Sequence, residues 1–373
     1  MNPINDTRYM SHALQLAERG LYSTHPNPRV GCVIVRDGAV VGAGWHRHAG
    51  EAHAEVHALE QAGEGARGAT VYVTLEPCNH HGRTSPCTDA LIEAGVARVV
   101  AAIADTNPEV GGRGLARLQQ AGIETQTGVL EQPARALNAG FLRRMQGGRP
   151  WCRVKMAASL DGRTAMASGE SQWITGSHAR SDVQRLRARS AAIVTGAGTV
   201  RADNPRLTVR PEAMGTIADK ALPLSEPLRV VLDRDLTTPP TAAVITEGGQ
   251  AVLVTTDDAL DGDRARTLRE QGAEVVVVAA DSIGQPDPGA LMDMLAGRGI
   301  NEVLVEAGPA VAGAALQAGI VDEFWLYQAP TLLGSSARPM AELPLERMKD
   351  QYRMAVLDRR MVGGDQRLVL QPG

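Results

Sequence analysis

Aromatic side chains are scarce in this chain: five Tyr, four Trp and two Phe among 373 residues. Its core must therefore be built from Val, Leu, Ile and Ala, as expected where sheets are covered by helices on both faces. Long apolar runs are missing too. Stretches such as Val275–Ala280 fall far short of the roughly 20 residues a membrane-spanning helix needs. Met1–Arg8 has no basic segment leading into an apolar one, so no export signal is read there and a reducing cytoplasm is the expected location. Four cysteines in a chain of this length do not make a disulfide framework. Positive charge is not in excess either: 38 Lys and Arg against 42 Asp and Glu leave a formal −4, with no basic run. That disfavours nucleic-acid binding, which needs clustered cations to neutralise phosphates.

What is present is an ordinary globular balance, 43% apolar and 21% charged. At roughly 150 residues per domain, the length suggests two or three compact units. Arg8–Gly20 has helical spacing through Tyr9, Ala13, Leu16 and Ala17. Val30–Val35 is a β-branched run, and Asp37-Gly38 is a hairpin signal leading into Val40–Gly44. The pattern then predicts a helix over His53–Gln61, a strand over Thr70–Leu75 and a helix around Thr88–Glu93. A strand over Arg98–Ile103 and a helix over Gly114–Ala121 follow. The alternation breaks at Gln146-Gly147-Gly148-Arg149-Pro150, which reads as a domain junction. It resumes with strand Cys152–Ala157, helix His178–Arg189 and strand Ala191–Thr195. Further strands are expected at Arg229–Leu232, Ala251–Val254, Glu274–Val278, Glu302–Val305 and Val321–Gln328. Arg210–Pro227, with three prolines, reads as a surface loop, and there is no repeat of fixed period. The expectation is two α/β domains of unequal length.

Three pieces carry chemistry in the first part: His53-Ala54-Glu55, Glu76-Pro77-Cys78, and Cys87. One His with two Cys thiolates supplies the three protein ligands of a catalytic zinc, with a fourth position open for water. Such a metal lowers the pKa of its water toward neutrality, and Glu55 is the candidate proton shuttle. Residues two apart on a helix point about 200° away from each other, so His53 and Glu55 can share a site only at a helix mouth. The His53/His57 spacing does not make a metalloprotease helix, because Ala54 stands where that motif needs Glu. His57, His80 and His81 read as neighbours of the site rather than ligands. Cys32 and Cys152 lie in apolar strands and read as inert core thiols.

His-x-Glu followed by Pro-Cys and a second Cys resembles the zinc-dependent cytosine and adenine deaminases. Those commonly have Pro-Cys-x-x-Cys, whereas eight residues separate Cys78 from Cys87 here. That longer spacing resembles the deaminase domain of the bifunctional riboflavin-biosynthesis deaminase/reductase family. Asn27-Pro28-Arg29-Val30-Gly31 and Ala104-Asp105-Thr106-Asn107-Pro108 are similar to the same family. The resemblance implies that Asn27, Asp105 and Asn107 hold the substrate; Asn107 also reads as a simple turn residue.

The second part carries Lys155-Met156-Ala157-Ala158-Ser159-Leu160-Asp161-Gly162-Arg163 and Gly169-Glu170-Ser171-Gln172-Trp173-Ile174. Two strands there empty into glycine-bearing loops, at Gly196-Ala197-Gly198-Thr199 and at Gly308-Pro309-Ala310-Val311-Ala312-Gly313. The second of these opens a helix whose free N–H groups attract an anion. Neither is a Rossmann fingerprint, since Arg201 stands where a third Gly would be needed. Together they resemble the reductase half of the same family, which implies a dihydrofolate-reductase-like fold and NADPH. By that resemblance Ala157, Trp173, Thr199, Asp203 and Gly308, Pro309, Ala310, Val311, Ala312, Gly313 and Ala314 contact the nucleotide. Arg234, just past a strand, is a further candidate, for the 2′-phosphate. Ser171, Arg187, Leu207, Arg210 and Glu306 would contact the substrate, the two arginines suiting a sugar phosphate. Arg185 and Arg189 read as solvated helix-face charges. Glu306-Ala307-Gly308 departs from the family's common Glu-Gly-Gly.

The resemblance covers essentially the whole chain, least recognisably at Gly215–Leu224. It implies a cytidine-deaminase-like three-layer domain over 1–146 and a reductase domain over 150–373, with the junction near 147–150. It further implies zinc, one per chain, and NADPH, a phosphoribosyl pyrimidine substrate, and a homo-oligomer, dimer or tetramer. Two other readings exist: an RNA-editing deaminase fused to an unrelated reductase, and a binding protein with two dead sites. The acidic balance and the Cys spacing disfavour the first. The intact His53, Glu55, Cys78 and Cys87 set disfavours the second.

Overall fold

Alternate residues of a strand face opposite sides of a sheet, and in this protein both sides are apolar. The computed structural model describes residues 3–79, 86–104, 111–215, 224–256, 260 and 262–373. Two units result, Met1–Gly148 with Ala221–Ser225, and Arg149–Lys220 with Glu226–Gly373.

The first unit runs α1 (Pro3–Glu18), β1 (Gly31–Arg36), β2 (Ala39–Trp45), α2 (Ala54–Ala62), β3 (Thr70–Val73), α3 (Cys87–Ala94) and β4 (Arg98–Ala101). It continues with α4 (Arg113–Gln120), β5 (Glu124–Thr127), α5 (Glu131–Leu137) and α6 (Ala139–Met145). The sheet order is β2-β1-β3-β4-β5, antiparallel across the first two pairings and parallel across the last two. Val33, Val35, Tyr72 and Val100 pack on one side against Met10, Ala13 and Leu14 of α1 and Ala134 of α5. Cys32, Ile34, Val71 and Val99 pack on the other against Ala54 and Ala58 of α2, Leu91 of α3 and Leu118 of α4. The unit is therefore a three-layer α/β/α sandwich. Helix α2 lies almost on the backbone of β2. A Cβ at Gly42 would sit 2.2 Å from the Ala58 carbonyl oxygen, and one at Gly44 2.5 Å from that of Ala54.

Helix α1 begins five residues before the spacing suggested, at Pro3 rather than Arg8. The reason is Asp6, which is buried and so disguises the apolar face. Its carboxylate accepts from Arg98 Nη1 at 3.1 Å and Nη2 at 3.0 Å, and from the Tyr72 hydroxyl at 2.7 Å. Strand β5 and helices α5 and α6 were not foreseen. The β5 segment Glu-Thr-Gln-Thr is an exposed edge strand with no apolar signal.

The second unit runs β6 (Trp151–Ala158), β7 (Arg163–Ala165), α7 (Ser177–Arg189), β8 (Ala192–Gly196), α8 (Ala197–Asp203), β9 (Leu228–Leu232), α9 (Ala243–Thr246) and β10 (Ala251–Thr255). Then come α10 (Asp263–Glu270), β11 (Glu274–Val277), α11 (Pro288–Gly297), β12 (Glu302–Val305) and α12 (Pro309–Gln317). The unit ends with β13 (Glu323–Gln328), β14 (Arg338–Pro339), β15 (Met354–Val362) and β16 (Asp365–Pro372). Its nine-stranded sheet has the order β11-β10-β9-β8-β12-β6-β13-β16-β15. All pairings from β11 to β13 are parallel, and β16 and β15 add on antiparallel. Val154, Val194, Val230 and Val305 face α11 and α12. Ile193, Val231, Leu253 and Leu304 face α7 through α10.

From β8 the chain moves to β9 on one side, and from β12 it moves to β13 on the other. The carboxyl ends of β8 and β12 therefore bound a topological switch point, where ligands bind in open parallel sheets. Among the described residues no helix is long and apolar enough to cross a membrane.

Candidate active sites

His53 is the residue before α2, in extended conformation (φ −75°, ψ 167°), and Glu55 lies in the helix's first turn. That is the helix mouth their spacing required. Cys78 follows β3, and Cys87 is the first residue of α3. The structure brings the three expected ligands together: His53 Nδ1 lies 3.1 Å from Cys87 Sγ and 3.5 Å from Cys78 Sγ. All three donor atoms fall within 4.8 Å of one another. Tetrahedral zinc with bonds of about 2.0–2.3 Å separates its ligands by about 3.5–3.8 Å, so the cluster fits the ion after small adjustment. The Cys78 thiol is drawn down, first by its hydrogen bond with Cys87 and then by His53, while that same bond and burial push Cys87 up. A zinc dication would be held by both sulfurs as thiolates.

Glu55 is buried, and burial lifts its carboxyl to about 7 despite the opposing pull of His53. A carboxyl poised near neutrality suits a group that takes and returns protons. Asn27 donates through Nδ2 to His46 Nε2 at 3.0 Å, and Ala52 carbonyl lies 3.1 Å from His46 Nδ1. The His46 ring stands edge-on to that of His53, with centroids 5.3 Å apart. His46 therefore links the expected substrate amide to a metal ligand, a role hidden in the sequence among four nearby histidines. Asp105, Asn107, His80 and His81 lie outside the described residues. Cys32 and Cys152 are fully buried strand residues.

In the second unit, Thr199 and Gly308 meet across the switch point, the Gly308 N–H donating to Thr199 Oγ1 at 3.2 Å. Gly308 precedes α12, so Pro309–Ala314 are helical rather than loop residues. Pro309 has no N–H, and helix geometry leaves those of Ala310 and Val311 without a partner in the helix. Ala312 and Gly313 face inward, and a Cβ at Gly313 would lie 2.1 Å from the Glu342 carbonyl oxygen. A Cβ at Gly198 would meet nothing within 4 Å. Open space beside free N–H donors fits a nucleotide pyrophosphate. Trp173 is 68% exposed, with the Arg180 guanidinium 4.4 Å from its ring centre. Ser171 Oγ donates to Asp203 Oδ1 at 3.4 Å, and Ala157 lies near the end of β6. Arg234 follows β9, with its side chain 39% exposed.

Glu306, at the end of β12, accepts from Arg187 and lies 4.0 Å from Lys155 Nζ. Burial works to raise the Glu306 carboxyl, but Arg187, Lys155 and Arg210 overcome it and hold it below the ordinary range. Burial lowers the Lys155 ammonium. Sequence reasoning assigned Lys155 no role, although a lysine inside an otherwise apolar stretch of β6 was the available signal. Leu207 is buried with φ +55°, and Arg210 is exposed. The reading of Arg185 and Arg189 as solvated charges is corrected. Arg189 Nε donates to the buried Glu302 at 2.9 Å, and Arg185 Nε to the Met214 carbonyl at 3.1 Å.

The family described as the cytidine and deoxycytidylate deaminase zinc-binding region matches residues 3–103, and the RibD C-terminal domain matches residues 150–356. The riboflavin biosynthesis protein RibD of Escherichia coli is 51% identical over 366 residues, covering 97% of this chain and 98% of that protein. The solved structure of Acinetobacter baumannii RibD (form 1) superposes with a TM-score of 0.92 at 45% identity, covering 100% of both chains. A diaminohydroxyphosphoribosylaminopyrimidine deaminase/5-amino-6-(5-phosphoribosylamino)uracil reductase from Thermotoga maritima gives 0.85 at 31% identity, over 100% of this chain and 99% of that one. The chain therefore belongs to the RibD family of bifunctional riboflavin-biosynthesis enzymes, with a zinc-dependent deaminase unit of cytidine-deaminase-like fold followed by an NADPH-dependent reductase unit.

Proposed function

We propose that the first unit hydrolytically deaminates the pyrimidine of a diaminopyrimidinone ribosylamine phosphate, and that the second reduces the ribosyl group of the product to ribityl. The observation that carries this reading is the convergence of His53 Nδ1, Cys78 Sγ and Cys87 Sγ within 4.8 Å, with buried Glu55 in the same first turn. Zinc held by these three supplies an activated water. Glu55 would take one proton of the water attacking the ring carbon and give it to the ring nitrogen, then carry the second proton from the resulting hydroxyl to the amino group, which leaves as ammonia. Asn27, held by His46, grips the pyrimidine together with Asp105 and Asn107.

In the reductase, NADPH supplies a hydride for C1 of the opened ribose. Thr199, Asp203, Trp173, Ala157 and the 308–314 segment position the nucleotide, and Arg234 reads its 2′-phosphate. Glu306, Lys155, Arg187 and Arg210 form a charged cluster with an excess of cations, suited to a phosphosugar. Ser171 and Leu207 complete the substrate side. The protein's contribution is to hold the sugar carbon and the nicotinamide in register.

The two domains are taken to meet at 147–150, with 1–146 carrying the deaminase and 150–373 the reductase. A homo-oligomer is supported by β15, an edge strand that exposes Val356, Leu357 and Met361. Thiolate ligands suit a reducing cytoplasm. The test is a zinc assay of the full chain together with NADPH oxidation in the presence of the aminopyrimidine phosphate. One zinc per chain, lost in Cys78→Ser and Cys87→Ser, and NADPH oxidation that requires prior deamination are the expected results. Zinc retained in both variants would place the metal elsewhere.

A further inference from the structure

Glu76-Pro77-Cys78 contributes Cys78 to the metal cluster and leaves Glu76 without a chemical task. Glu76 is buried, 4% exposed, and its carboxylate accepts from the backbone of another element. Oε2 accepts from the Gly112 N–H at 3.0 Å; Oε1 accepts from Gly114 at 2.9 Å and Leu115 at 3.1 Å. These donors belong to the start of α4, where helix geometry leaves N–H groups unpaired and favours an anion. Helix α4 also sits directly on the next peptide: a Cβ at Gly114 would lie 2.1 Å from the Pro77 carbonyl oxygen. On its far side Cys78 is tied to α3. Its sulfur accepts from the Cys87 N–H at 3.4 Å, and its carbonyl accepts from the Thr88 N–H at 3.3 Å. The Thr88 hydroxyl donates to Asn79 Oδ1 at 3.2 Å.

Cys78 is thus bracketed between two helix starts, and Glu76 supplies the three-bond tie to one of them. We propose that Glu76 is a positioning residue for the metal site, fixing the Glu76-Pro77-Cys78 turn on α4 so that the Cys78 sulfur stays in register with Cys87 and His53. This rests on the zinc reading above. A carboxylate suits the tie because the three backbone groups of Gly112, Gly114 and Leu115 are donors. An amide in its place would turn its own N–H groups toward some of them.

The test uses the full-length, zinc-loaded chain, with release of zinc to a chromophoric chelator followed well below the melting temperature. Partners that orient ligands typically change metal affinity 10–100-fold, so Glu76→Gln should release zinc roughly 10–100 times faster. With cobalt in the site, its sulfur-to-metal absorption should shift. A helix cap with no hold on the ligand would lower the melting temperature and leave both readouts at wild-type values. Gly112→Ala perturbs the same tie from the donor side. Gly112 has φ +76° with nothing within 4 Å of an added Cβ, so the change strains the cap without a clash and should speed release a few-fold. The double variant should release zinc no faster than Glu76→Gln alone. If Glu76→Gln does not fold, Gly112→Ala decides the matter. Wild-type release rates in whichever variants fold overturn the role of Glu76 and leave the zinc reading intact, whereas a wild-type chain that binds no zinc overturns both.

Discussion

Arg187 and Glu306, 119 positions apart, grip one another at two points, Nε to Oε1 at 2.6 Å and Nη2 to Oε2 at 3.0 Å. The third nitrogen, Nη1, donates to the Thr208 carbonyl at 3.1 Å. Every nitrogen of this guanidinium is therefore engaged within the protein. Its work is to hold Glu306 ionised and in place.

Replacing Arg187 with Met should cost about 3–5 kcal/mol, the usual penalty for removing one partner of a buried ion pair. It should also let the Glu306 carboxyl climb. In the wild type Arg187, Lys155 and Arg210 keep that carboxyl low, so it is ionised at neutral pH. In Arg187→Met protonation begins at higher pH, and the acid limb of the kcat/KM profile for NADPH oxidation should move upward. An unmoved limb would show that Glu306 does not control it.

Glu55→Gln should keep zinc and lose deamination by about 10²–10⁴-fold, the usual worth of a positioned acid–base group. Metal analysis and ammonia release measured on the same sample check this. Near-normal turnover with zinc bound would assign the proton shuttle to another residue.

Arg234→Ala should reduce the NADPH/NADH preference. A charge-assisted bond is worth about 1.5–3 kcal/mol, so the ratio of kcat/KM values should drop roughly 10–100-fold. An unchanged ratio moves 2′-phosphate recognition to a different cation.

Asp6→Asn should lower the melting temperature at pH 7, because Arg98 then keeps its burial and loses its carboxylate. Arg98 holds the Asp6 carboxyl below the ordinary aspartate range in the folded protein. A lowered carboxyl contributes stability above its unfolded pKa and loses it as pH falls through the folded value. The gap between wild type and Asp6→Asn should therefore be full at pH 5–7 and shrink below about pH 4. A gap that does not depend on pH would mean the pair contributes through packing instead.

The metal centre was legible because its residues are chemically rare and close in sequence: His53 and Glu55 share one helix mouth, and Cys78 and Cys87 flank one helix start. Buried parallel strands such as Glu302–Val305 were legible as β-branched runs. The β15–β16 hairpin was not, because its inward positions include Asp365 and Arg367, which read as solvent-facing. They are buried because Arg367 pairs with Asp182 at 2.6 Å and Asp358 at 2.8 Å, and Asp365 accepts from the Gly176 N–H at 2.7 Å. Helix α1 was shortened for the same reason at Asp6. Glu76 was conspicuous, but it accepts from backbone N–H groups 36–39 positions away, and backbone donors leave no trace in a sequence. The Arg187–Glu306 pairing was invisible because both residues looked like ligands for something else.

The close approach of α2 to β2 determines how damage to this protein will present itself. Gly42 and Gly44 carry no chemistry, yet a methyl group at either would press on the helix backbone at Ala58 or Ala54. That helix begins with His53 and Glu55, so a lever pushing on its flank displaces a ligand and a proton carrier at its end. In a saturation-mutagenesis map scored on deaminase output, these two glycines will be as intolerant as the metal ligands themselves. A variant there would be mistaken for an active-site lesion, although its added side chain would press on the flank of α2 and supply no ligand.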